Sequence, residues 1–147
     1  MTEGKAAKYE IGVLLRRAHR RAAETFNDAL RPLEIQGKHF GVLLALRRMG
    51  PLSQRRLIEY LGTDKSSMVR LIDELEAREL CVREPSAEDR RAYAVRVTEN
   101  GLELLATAEK TAEKVAQQLR HGMTAEEWHT LETLLRRFID AGATSRD

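Results

Sequence analysis

The sequence predicts a mainly α-helical chain of about six helices carrying a single two-stranded β-hairpin. Three observations predict it. The composition favours helix, with only 3 Pro, 5% aromatic residues, and Ala, Leu, Glu and Arg in abundance. Apolar residues recur at spacings of three and four along most of the chain, the period of an amphipathic helix. That period gives way to strand character once, between Leu80 and Val97.

Residues 8–30 form the first helix. Ile11, Leu15, Ala18, Ala22, Phe26, Ala29 and Leu33 step along one face, while Arg16, Arg17, Arg20 and Arg21 occupy the other. Pro32 ends this helix or begins the turn after it. Gly37 to Met49 is a second helix with Phe40, Leu43, Leu44 and Leu46 as its apolar positions. Gly50-Pro51 is a turn, and Ser53 caps a helix holding Leu57 and Leu61. Gly62 stops that helix, and Thr63 or Asp64 caps the next, whose stripe runs through Met68 or Val69, Ile72 and Leu75.

Leu80–Glu84 and Ala92–Val97 read as strands joined by a polar tip. Two strands alone are marginal, so Leu80, Val82, Val95 and Val97 are expected to pack on the helices. Thr98 caps a fifth helix, with Glu99 where the helix dipole favours an anion, and Gly122 breaks it after about Arg120. Thr124 to Glu127 is a capping box, flanked by Met123 and Trp128 as a hydrophobic staple. The last helix runs through Leu131, Leu134, Leu135, Phe138 and Ile139 to Gly142.

The totals narrow the function. At 147 residues, 42% hydrophobic and 33% charged, the chain is one soluble globular domain or two small ones sharing a core. Its single cysteine, Cys81, excludes an intramolecular disulfide or a CxxC site. No apolar run approaches a membrane span, and the stretch MTEGKAAKYE lacks a signal peptide's hydrophobic centre, so the cytoplasm is the expected compartment. Glycine-rich phosphate loops, nucleophile motifs and metal-spaced ligands are missing, so neither an enzyme nor a cofactor is expected. The net charge is only +2, and residues 53–97 hold nine Lys/Arg against nine Asp/Glu. Bulk charge therefore makes no case for nucleic acid; only the placement of charges can.

That placement is distinctive in LIEYLGTDKSSMVRLIDELE, residues 57–76. Opposite its apolar stripe, the first turns after Gly62 show Lys65, Ser66, Ser67 and Arg70. Short hydrogen-bonding groups flanked by cations suit the leading end of a helix lying in a DNA groove. Ser66 and Ser67 let the backbone approach, Arg70 reaches a guanine edge or a phosphate, and Lys65 meets phosphate. Met68 touches a thymine methyl or belongs to the core; its spacing fits both.

The stretches GKHFGVLLAL, LIEYLGTDKSSMVRLIDELEAREL and DRRAYAVRVTENG, in this order, resemble the multiple antibiotic resistance regulator (MarR) family of winged helix-turn-helix proteins. The most specific part is Asp89 and Arg91 at the hairpin tip, followed by Val95, Val97, Thr98 and Gly101. The resemblance covers roughly residues 10–140. It implies an α+β winged helix-turn-helix lobe over residues 36–98, and a homodimer through terminal helices at 8–35 and 99–142. It also implies a pseudo-palindromic double-stranded operator, with each recognition helix in a major groove and each wing near a minor groove. Most such proteins are repressors released by a phenolic or aromatic-acid ligand, or by oxidation. The family usually has Gly where this chain has Glu79; if positive φ is still required there, Glu costs roughly 1 kcal/mol.

The expected DNA interface comprises Lys38, Ser53, Arg55, Arg56, Asp64, Lys65, Ser66, Ser67, Met68, Arg70, Asp89, Arg90 and Arg91. At the wing tip Arg91 pairs with Asp89 and stiffens the turn, while Arg90 enters the minor groove. Lys38, Ser53, Arg55 and Arg56 stand at helix starts, where amides and cations meet phosphate together. His19 falls on the apolar face of the first helix, as a core residue or as part of an effector pocket with Arg16, His39 and Phe40. Oxidation-sensing relatives carry their cysteine in the first helix, so Cys81 is expected to be inert packing. His121 and His129 are surface residues. The competing function is an architectural DNA-binding protein with no effector.

Overall fold

The computed structural model describes residues 9–143. The chain divides into two units, residues 1–113 and 114–147, and helix α5 (Glu99–Leu119) runs from the first into the second. The first unit contains α1 (Glu10–Leu30), a 3-10 turn at Arg31–Leu33, α2 (Gly37–Met49), β1 (Leu52–Ser53), α3 (Gln54–Leu61), α4 (Lys65–Ala77), β2 (Cys81–Pro85) and β3 (Tyr93–Val97). The second contains α6 (Ala125–Ala143).

Local chemistry accounts for the boundaries. Pro32 cannot donate the amide that would continue α1, and it sits in the 3-10 turn. The Ser53 hydroxyl accepts the Arg56 amide at 3.2 Å to open α3, which stops at Gly62 with φ +66. The Asp64 carboxylate accepts the Ser67 amide at 2.8 Å and so opens α4. In the second unit the capping box before α6 is closed from both sides. The Thr124 amide donates to Glu127 at 2.8 Å, and the Glu127 amide donates to the Thr124 hydroxyl at 3.1 Å.

The main core of the first unit joins Val42, Leu43 and Leu46 of α2, Leu57 of α3, Met68, Leu71, Ile72 and Leu75 of α4, Leu80, Cys81 and Val95 around the sheet, and Leu105 of α5. A smaller cluster gathers Leu30, Ile35 and Ala108, flanked by Phe26 and Phe40 packed edge to face at 5.1 Å.

Three expectations need correction. The wing is not two-stranded: Leu52 and Ser53 pair with Val95 and Ala94, giving a three-stranded antiparallel sheet in the order β1-β3-β2. Two residues between Pro51 and a helix are too short to show alternation, so the strand leaves no sequence signal. The hairpin face also differs. Cys81 pairs with Val97 and Arg83 with Val95, whereas Val82 pairs with Arg96. Side chains alternate along a strand, so Cys81 enters the core and Val82 lies on the other face. Met68, finally, is fully buried among the core residues of α4. It is unavailable to a thymine methyl.

Glu79 does adopt positive φ, at +56. Its backbone is held there by the Glu79 amide, which donates a hydrogen bond to the Glu76 carbonyl (2.9 Å), and by the Thr98 hydroxyl, which donates to the Glu79 carbonyl at 2.6 Å. Glycine fits this conformation without the steric penalty. Glu79→Gly is therefore expected to stabilise the fold by about 1 kcal/mol, read as a higher urea midpoint. An unchanged or lower midpoint would count against strain at this turn.

Candidate nucleic-acid interface

The surface of α4 is sorted by charge. Its acids, which seemed to compete with a DNA-facing role, are each engaged within the protein. Asp64 accepts the hydroxyl protons of Ser66 and Ser67, both at 2.7 Å, in addition to the Ser67 amide. Asp73 accepts from Arg83 at 2.6 Å, and Glu76 accepts both the guanidinium at 3.0 Å and the main-chain amide of Arg83 at 2.9 Å. Glu74 faces His39 at 2.6 Å. Arg83 stands on β2, so the Asp73–Glu76 pair ties the wing to the back of α4.

The cations Lys65 and Arg70, by contrast, are exposed and make no hydrogen bond or ion pair among the described residues. Arg70, Ser67, Thr63 and Lys38 border one cleft of about 310 Å³ between the start of α2 and the first turns of α4. Lys65, Ser66, Asp64 and the half-buried Val69 border the opposite flank. Arg55 and Arg56 are exposed on α3 but share Glu59, at 3.2 and 3.9 Å, so their charge is partly offset. Ser53 is engaged as the α3 cap.

The wing tip behaves differently from expectation. Asp89 accepts the main-chain amide of Arg91 at 2.9 Å, while no ion pair joins its carboxylate to the Arg91 guanidinium among the described residues. The turn is stiffened by an aspartate bonding its own backbone two residues on. The side chains of Arg90 and Arg91 stay exposed and unpaired among the described residues.

The bonds at Asp64 hold its carboxyl well below the ordinary carboxylate value of 3.8, the Ser67 amide contributing most, followed by the two hydroxyls. A depressed folded value means that the carboxylate stabilises the fold fully above the unfolded value and loses that contribution as pH falls below it. Asp64→Asn keeps a capping acceptor without the titration. Its melting temperature is therefore expected to fall less between neutral pH and about pH 3 than that of the unsubstituted chain. Parallel pH profiles would contradict this.

The residues expected to share an effector pocket are not gathered in one place. Arg16 and His19 are exposed on α1, so His19 is no core residue of this unit. Phe40 packs on Phe26. His39 borders a separate cleft of about 380 Å³ with Asn27, Arg31, Gln36 and Glu74. Helical angle alone placed His19 with apolar residues, but the N-terminal half of that face is uncovered in this unit. Cys81 is buried and its thiol is pushed up to about 11, first by burial and then by Glu76, which fits inert packing. His121 and His129 are exposed, and no metal-holding cluster exists among the described residues.

The Glu74–His39 and Arg83 links escaped sequence reasoning. The acids at 73 and 76 were a usable signal, since a spacing of three puts both within reach of one guanidinium. Nothing local pointed to position 39.

Comparison with known proteins agrees with this geometry. A model described as MarR family matches residues 33–92. The chain is 32% identical over 132 residues to the transcriptional repressor NicR of Pseudomonas putida, spanning 90% of this chain and 84% of that protein. This chain belongs to the MarR family. Among solved members, a mutant MarR from Escherichia coli complexed with operator DNA aligns with a TM-score of 0.80 and 26% identity, over 91% of this chain and 99% of that one. BpsR of Bordetella bronchiseptica, whose DNA binding is regulated by 6-hydroxynicotinic acid, aligns with a TM-score of 0.79 and 29% identity, over 88% and 98%. MarR-family chains are transcription regulators, and no described helix of this one is long and apolar enough to cross a membrane.

Proposed function

We propose that this MarR-family chain is a cytoplasmic, sequence-specific DNA-binding repressor that a small aromatic acid or phenol releases from its operator. The observation that carries the reading is the sorting of charge on α4: acids turned to internal partners, cations left outward beside short hydroxyl side chains. Residues 36–98 are the reading lobe. With their hydroxyl protons on Asp64, Ser66 and Ser67 offer lone pairs outward, suited to the amino groups of adenine or cytosine. Lys38, Lys65, Arg70, Arg90 and Arg91 supply phosphate, guanine or minor-groove contacts. The repressor NicR and the ligand-regulated BpsR support both the sign of control and the class of effector. We assign the chain no catalytic step.

The active species is a homodimer through helices in 8–35 and 99–142. Tyr9 before α1 and Ile11, Val13 and Leu14 on it are exposed, and on α6 Leu134, Phe138 and Ile139 are at least half exposed (50%, 61% and 66%). Apolar runs of this size on a soluble chain mark protein contacts. Two-fold symmetry then calls for a pseudo-palindromic site with half-sites one helical turn apart.

The test compares the affinity of the purified protein for the DNA upstream of its own gene and for a scrambled duplex at physiological salt. A preference of at least about a thousandfold is expected. Equal affinities would reject the repressor and favour an architectural role. Small aromatic acids titrated into the specific complex should then release it.

A further inference from the structure

His39 is the third residue of α2, and both of its ring nitrogens are occupied although its side chain is only 12% exposed. Nδ1 accepts the Gln36 amide at 3.0 Å, and the Gln36 side chain accepts the His39 amide in return. An accepting Nδ1 must carry a lone pair, so the ring is neutral with its proton on Nε2. That proton is donated to Glu74 of α4 at 2.6 Å. Just past the end of α4, Arg78 donates to the carbonyls of Glu34 (2.8 Å) and Leu33 (3.2 Å). Two links thus fasten the corner between α1 and α2 to the side of the reading helix. Glu34 itself lies in that corner with φ +56.

The geometry points to His39 as a positioning residue for DNA recognition: in its neutral Nε2–H form it sets α4 against the start of α2, and protonation releases that setting. This rests on the DNA-reading role proposed for α4. A second proton must go to Nδ1, the atom that faces the Gln36 amide. Two donors then oppose one another, so the ring turns away or the first turn of α2 opens. The charged groups around the ring are Glu74 from α4, Lys38 from α2, Glu34 from the linker, Asp28 from α1 and Arg31 from the 3-10 turn. Arg70 adds its field to Glu74 from the same helix. Of these, Glu74 alone is bonded to the ring. The imidazolium is therefore drawn to Glu74 as it leaves the cap, and α4 shifts relative to α2.

The experiment measures the ratio of upstream to scrambled duplex affinity for the full chain between about pH 8 and about pH 5.5, where histidine titrates. Charge changes elsewhere on the surface act on both duplexes and cancel in the ratio to first order. The ratio is expected to fall on acidification, and to be flat for His39→Gln. Glutamine at the third helical position keeps the capping acceptor but drops the titration and the reach to Glu74. Glu74→Ala should lower the ratio roughly fivefold at neutral pH, and the double variant should lose no more than either single one. A flat profile for the unsubstituted chain, or additive losses, would overturn the assignment. Ring-nitrogen NMR shifts of the unsubstituted protein supply a check that needs no variant: a neutral Nε2–H ring is expected, and an Nδ1–H ring overturns it. Absence of any preference for the upstream duplex would instead defeat the repressor reading. A preference untouched by both substitutions and by pH would defeat only the role of His39.

Discussion

Gly101→Ala is expected to destabilise the chain by about 3 kcal/mol or more, the upper end for an added methyl in a packed site. Gly101 is buried near the start of α5, where the helix passes the turn after α4. A Cβ there would lie 2.7 Å from Val97 Cγ2 and closer still to the main-chain oxygen of Leu80. That oxygen cannot yield cheaply, because it accepts the Thr98 amide at 3.1 Å. The Thr98 hydroxyl in turn accepts the Gly101 amide at 3.1 Å and donates to the Glu79 carbonyl. A methyl group would therefore push on the junction that sets the wing against α5. Gly41→Ala in α2 is the matched control: its Cβ would meet only Leu61 at 3.5 Å, an ordinary contact. Helix propensity then makes that change neutral or stabilising by up to about 1 kcal/mol. Urea midpoints of the two variants check the pair, and similar midpoints would refute the close approach.

Arg70→Ala is expected to weaken binding to the upstream DNA by about 1–3 kcal/mol, roughly ten- to a hundredfold. Arg70 is exposed, one turn beyond the two serines, with no bonded partner among the described residues. Its removal should leave folding intact, so unchanged thermal unfolding separates lost recognition from lost structure. The pattern of loss identifies its target. If Arg70 reads a guanine, the penalty is confined to sites that keep that base pair. If it shares a phosphate with Lys38 across their common cleft, the loss is uniform over sequences and the salt dependence falls by about one counterion. An affinity within twofold of the parent would exclude both.

The helices and their ends were legible locally because their causes are local. The capping groups Ser53, Asp64 and Thr124, the stops at Gly62 and Gly122, and the period of three to four are chemistry within one or two turns. The change of period at Leu80 announced the hairpin for the same reason. The family resemblance supplied the positive φ of Glu79, which no local signal required. Val82 and Met68 mark where this reasoning ran out. Alternation shows that one strand face is buried but not which, and an apolar residue near the edge of a stripe fits core or surface. Register and packing decided both: Cys81 rather than Val82 enters the core, and Met68 closes under α4.

The same division holds for the interface. The sequence by itself determined which helix carries the proposed reading groups, since Lys65, Ser66, Ser67 and Arg70 stand opposite an apolar stripe on a capped helix. What it left open was the role of Asp73, Glu74 and Glu76, because their partners are distant in the chain. Only the tertiary structure brought Arg83 of β2 to Asp73 and Glu76, and His39 of α2 to Glu74. Cancellation of charge is a matter of distance in space, so a lobe with no net charge can still present cations outward while Asp73, Glu74 and Glu76 are paired with other elements.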